Sequence, residues 1–217
     1  MIGRLLVAFL VLMLSGSSLL AAASVPTFQF SARSVTVSGV TNGGSVAFFA
    51  VAKEPTLSVP PIPLKTTHTL ILHDEDGDGD VVLERELVVP VIGIWIAVDM
   101  TTGQWIASGS PGFVAEVIPA GELAKKDNAG QLRKLDLESS EADVLLVRPG
   151  AGAWSLFAAR TGRLDESAKG DRSLRVDIAG MRALGSSAAG PPAFRKGDII
   201  AVIDARAMRY RVVEVGQ

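Results

Sequence analysis

The chain contains no cysteine, which excludes disulfides, thiolate metal sites and cysteine nucleophiles. Histidine is nearly as scarce, with His68 and His73 the only two. On a strand, positions five apart face opposite sides, so this pair is poorly placed to share a metal or a proton relay. Aromatic residues make up 6% of the sequence. Neither sign of charge dominates: the formal net charge is -2, which gives no reason to expect nucleic acid or an anionic membrane as partner. Also missing are a G-x-S-x-G nucleophile elbow, a P-loop and a G-x-G-x-x-G turn after a strand. The expectation is therefore a protein that is not an enzyme. What is present is 217 residues that are 48% hydrophobic, a globular composition that excludes a wholly disordered, collagen-like or coiled-coil chain.

The N-terminus has the layout of an export signal. Arg4 forms a short basic region, Leu5 to Leu14 is an unbroken apolar run, and Ser15-Gly16-Ser17-Ser18 interrupts it. Ala21-Ala22-Ala23 then supplies the small-residue pattern of a cleavage site. No acidic residue precedes Glu54. The apolar run is about half the roughly 20 residues needed to span a bilayer, so residues 1–23 are expected to be removed, leaving Ser24 first and no stable membrane span. The expected location is periplasmic or extracellular, where a chain without cysteine must rely on its core, and perhaps on a metal, rather than on cross-links.

Three blocks recur in the same order. Ser34 to Ala50 aligns with Ala142 to Ala158, placing Val37 on Leu145, Gly44 on Gly152 and Phe49 on Phe157. Asp74-Glu75 aligns with Asp165-Glu166 and Leu83 with Leu174. Ile96-Ala97-Val98-Asp99 with Trp105 aligns with Ala201-Val202-Ile203-Asp204 with Tyr210. This self-similarity suggests a duplication, with a first unit over 34–110, a connection over 111–141 and a second unit over 142–217. The Pro-rich stretch Pro55 to Pro63 enlarges one loop of the first copy.

Each unit reads as β structure. Ser34 to Val40 alternates valine with polar residues, the two-residue period of a half-buried strand. Thr41-Asn42-Gly43-Gly44 and Pro149-Gly150-Ala151-Gly152 carry hairpin-turn residues. Short β-branched runs separated by turn signals suggest sandwiches or barrels, and the fold class expected is all-β, a tandem of related β-sandwich units of about five strands each. The charged stretch Pro119 to Glu141 is expected to connect them and to hold one short helix. The core is expected to include Val37, Phe49, Leu83, Val98, Leu145, Phe157, Leu174 and Ile203.

One segment stands apart chemically: Asp74-Glu75-Asp76-Gly77-Asp78-Gly79-Asp80. It resembles the D-x-D-x-D-G calcium loops of EF-hand and dockerin type. The resemblance implies a cation held by the carboxylates of Asp74, Asp76 and Asp78 and by the backbone carbonyl of Asp80, with Gly79 making the turn. Position 12 of such a loop, usually a bidentate glutamate, is Arg85, and the flanks read as strands, so the site would be a calcium hairpin rather than an EF-hand. The plain alternative is a solvated acidic turn, although four aspartates in seven positions repel one another. The second copy has Ser167 and Lys169 at two of the ligand positions and is expected to lack the metal.

Asp99 and Asp204 each end a strand before a turn, and Asx-type capping explains them better than acid–base catalysis. Trp95, Trp105, Trp154 and Tyr210 are expected to serve packing rather than a flat platform for sugar rings. The functional expectation is an exported binding or structural module with an unidentified protein or glycan partner. A carbohydrate-binding or adhesive module is the alternative and a hydrolase the third class.

Overall fold

The computed structural model describes residues 25–31, 33–53, 65–84, 92–118, 122–126, 129–133, 142–161, 164–166, 172–176, 181–186 and 194–216. Residues 1–24, where an export leader is expected, the Pro-rich stretch and residues 167–171 after Asp165-Glu166 lie outside these residues. The described chain is all-β: β1 Thr27–Phe30, β2 Ser34–Ser38, β3 Ser45–Lys53, β4 Lys65–His73, β5 Asp80–Glu84, β6 Ile92–Asp99 and β7 Trp105–Gly109. There follow β8 Glu116–Val117, β9 Glu122–Lys126, β10 Ala129–Arg133, β11 Ala142–Arg148 and β12 Ser155–Thr161. The last are β13 Leu164–Glu166, β14 Arg172–Val176, β15 Arg182–Ser186, β16 Ile199–Asp204 and β17 Arg209–Glu214. Among the described residues no helix is long and apolar enough to cross a membrane.

The strands form four sheets, ordered β1-β2-β5, β4-β3-β6-β7, β15-β12-β11-β16-β17-β8 and β13-β14-β10-β9. The second and third sheets face each other. Between them lies the central core, with Phe49 and Val51 of β3 and Ile94, Ile96 and Val98 of β6 on one side. Leu145 and Val147 of β11, Leu156 of β12, and Ile199 and Ile203 of β16 close it from the other. Because side chains alternate along a strand, the other face of β3 presents Val46, Phe48 and Ala50, which pack with Val35 and Val37 of β2 and Val81 of β5. The first sheet thus covers the outside of the second. On the outer face of the third sheet, Val144, Leu146, Phe157, Ile200 and Val202 form a further cluster, and β14 of the fourth sheet touches β12. Strands buried on both faces explain why 46–51 and 144–147 read as continuous apolar runs.

The strand orders of the two halves correspond, but the strands that correspond are not those the sequence alignment pairs. Order β1-β2-β5 matches β9-β10-β14, and order β4-β3-β6-β7 matches β12-β11-β16-β17. Phe49 pairs with Ile96 in β6, and Leu145 pairs with Ala201 in β16. Since the Asp99 and Asp204 turns are equivalent, Phe49 corresponds to Leu145, not to Phe157. The hairpin expected across Thr41 to Gly44 is likewise corrected. Gly44 N donates to Thr41 O at 2.7 Å, but the turn carries the chain from the first sheet to the second, and β2 pairs with β1 and β5. Pro149 to Gly152 does close a hairpin, with Arg148 opposite Ser155. Within the stretch Pro119 to Glu141, where a short helix is expected, the described residues 122–126 and 129–133 form the β9–β10 hairpin, whose pairing with β14 builds the fourth sheet. Of the expected core, Val37, Phe49, Val98, Leu145, Phe157 and Ile203 are buried. Leu83 is half-buried, and the burial of Leu174 lies outside the description.

Candidate functional site

The acidic loop is the crossover from β4 in the second sheet to β5 in the first. Asp74 follows β4 directly, and its side chain is turned inward and 3% exposed. One carboxylate oxygen, Oδ2, accepts the Gly43 and Gly79 amides, each at 2.9 Å. The other, Oδ1, accepts the Gly77 amide at 2.9 Å. Gly77 and Gly79 supply the positive φ values, 75° and 87°, that let the backbone fold around this carboxylate. Asp78 Oδ1 accepts the Asp80 amide at 2.8 Å. The loop therefore turns about its own aspartates, and Asp74 also fastens it to the Thr41–Gly44 turn.

Asp74, Asp76 and Asp78 each offer an oxygen within 4.8 Å of the others. Asp80 heads β5, opposite Ser38, and its carboxylate is not part of this group. The electrostatics of the group are uneven. Burial pushes the Asp74 carboxyl up, but the amides of Gly43, Gly79 and Gly77, together with a hydrogen bond from Asp76, outweigh burial and hold it below the ordinary carboxylate value. Asp76 is raised, first by its hydrogen bond to Asp74 and then by the charge of Asp78. The raised Asp76 reflects like-charge repulsion within the group, which a divalent cation would relieve. Three carboxylates form a hard, all-oxygen donor set suited to calcium or magnesium rather than to a thiolate- or imidazole-seeking metal. Within the second half, Ser167 and Lys169 lie outside the described residues.

The remaining candidates separate clearly. Asp99 is 3% exposed; its Oδ1 accepts the Thr101 and Thr102 amides at 2.7 and 3.2 Å. Its Oδ2 accepts the Thr41 amide at 2.8 Å and the Thr41 hydroxyl at 2.6 Å. Asp204 Oδ1 accepts the amides of Arg206 and Ala207, both at 3.1 Å. Both carboxylates cap their turns, as the sequence suggests. His73 Nδ1 meets the Ser45 hydroxyl at 2.9 Å. Trp95 is buried against Phe30 and Phe48, Trp154 packs on the central core, and Trp105 alone of the three is exposed, so no aligned tryptophan platform forms. Sequence reasoning missed Arg148 and Asp198, a bidentate pair at 2.9 and 2.8 Å whose aspartate is 1% exposed. Their signal was weak: an arginine at a strand end and an aspartate in a Lys-Gly-Asp turn. No family model, curated protein or solved structure matches the chain.

Proposed function

We propose that this chain is an exported, non-enzymatic β-sandwich module in which calcium locks the β4–β5 crossover. The grouping of Asp74, Asp76 and Asp78, each with an oxygen within 4.8 Å of the others, carries the reading. Its placement supports it: Asp74 ties the loop to Gly43, so a cation there would bind the first sheet to the second. The leader around Arg4, Leu5 to Leu14 and Ala23 supports export. The common strand order of the two halves supports descent from one duplicated β unit.

The test is calcium titration by calorimetry together with thermal unfolding. A ligand that binds only the folded chain stabilises it by RT ln(1 + [L]/Kd), about 2.7 kcal/mol at 100 times Kd. Without a bidentate glutamate the affinity expected is on the order of 10⁻⁴–10⁻³ M. EDTA should lower the wild-type melting temperature, and Asp76→Asn should abolish the calcium response. No heat of binding at about 10 mM calcium, with no effect of EDTA, would reduce the loop to an acidic turn.

A further inference from the structure

A cavity of about 690 Å³ opens along the seam between the two halves, within the ~300–1,000 Å³ range of small-molecule sites. One wall is the turn held by Asp99, from Thr101 to Gln104, running into Trp105 at the start of β7. The opposite wall comes from the second half: Pro149 and Ala153 of the β11–β12 turn and the segment Arg195 to Ile199. Both walls are fixed by buried carboxylates. Asp99 holds the first, and Asp198 holds the second by accepting Arg148 Nε, Arg148 Nη2 and the Arg195 amide. The walls are also joined, since the Gly150 amide donates to Met100 O at 2.8 Å. A site already formed in this way spends little binding energy on ordering itself.

The lining chemistry is specific. Trp105 is 39% exposed and is the only aromatic among the exposed large apolar residues described. Its indole offers a flat apolar face for the C–H side of a ring. The threonine hydroxyls beside it are donors and acceptors for ring hydroxyls. Across the cleft, the Arg148 charge is cancelled by Asp198, while Arg195 and Lys196 are exposed with Glu214 the only other acid in the lining. The balance is one surplus positive charge. That suits a ring bearing a single carboxylate rather than a polyphosphate, which calls for several converging donors.

We propose that the seam cleft binds an acidic saccharide, a uronate-containing oligosaccharide stacked on Trp105 with its carboxylate toward Arg195 and Lys196. This names a ligand for the binding-module reading and does not depend on the calcium loop. The test titrates galacturonate, mannuronate and glucuronate trisaccharides into the full exported chain by calorimetry. EDTA is present so that chelation by the sugar contributes nothing, and the glucose trisaccharide is the neutral control. At least one uronate should bind at least tenfold more tightly than the neutral sugar, with affinity falling as salt rises. Arg195→Ala combined with Lys196→Ala should weaken binding at least tenfold and flatten the salt dependence. Trp105→Ala should abolish binding while Trp105→Phe retains part of it, both at unchanged melting temperature. Asp76→Asn should bind sugar like the wild type, which separates failure of the metal reading from failure of this one. Absence of uronate binding at about 10 mM, equal binding of the neutral sugar, wild-type affinity in the double variant, or loss of binding in Asp76→Asn would each overturn the assignment.

Discussion

Asp74, Asp99 and Asp198 are buried carboxylates, and main-chain amides contribute to holding all three. A hydrogen bond to a charged group is worth about 1.5–3 kcal/mol, so these side chains act as clasps between segments distant in sequence. Asp198 differs in having a charged partner. Removing one member of a buried pair leaves an uncompensated charge, and with Arg148 12% exposed the cost expected for Asp198→Ala is near the lower bound, about 3 kcal/mol, read as a shift of the urea midpoint. The acidic loop adds a pH signature. The Asp74 carboxyl lies below its ordinary value, so its contribution is complete above the unfolded carboxylate pKa of about 4 and is lost as pH falls through the lower folded value. Asp76 has the opposite sign: raised in the folded chain, it favours folding below about pH 4 and loses that contribution as pH rises through its folded value. In EDTA, Asp76→Asn should therefore raise the melting temperature at pH 7 and leave it nearly unchanged at pH 4. An equal effect at both pH values would show that Asp76 is not under strain from its neighbours.

At the scale of elements, the Asp99 and Asp204 turns were legible because the capping that shapes each of them is local. A carboxylate caps the next amides, and a left-handed residue follows four positions on, Gly103 at φ 78° and Met208 at φ 55°. The acidic loop was legible for the same reason. The Thr41–Gly44 turn was misread because its partners are remote: Asp74 grips Gly43 and Asp99 grips Thr41, and these bonds steer β3 into a different sheet from β2. The alignment of Phe49 with Phe157 failed because β3 and β12 are both apolar, and similarity of composition cannot say which neighbour each strand will choose. Gly103 shows what the turns are built to permit. A Cβ there would lie 2.8 Å from Pro149 Cγ, and a left-handed non-glycine residue costs about 1–2 kcal/mol. Gly103→Ala should therefore destabilise by roughly 2 kcal/mol or more, measured by chemical unfolding. A neutral effect would mean that the two halves can separate at this point without penalty.

Across the whole molecule, the equivalent strands of the two halves bury equivalent positions against each other: Phe49 and Leu145, Val51 and Val147, Val98 and Ile203 all line the central core. Phe49→Ala should cost about 3–5 kcal/mol, and the loss should appear in a single transition reported alike by probes in either half. Two separate transitions would show that the sheets fold independently. A shared interior also decides how far a local event reaches. Neither half can open without exposing the apolar face of the other, so amides of β11 and β16 can exchange with solvent through global opening only as often as β3 and β6 let go. Ligation at one edge of the first half would then slow hydrogen exchange in strands of the second that it never touches, with no signalling path between them beyond the core they have in common.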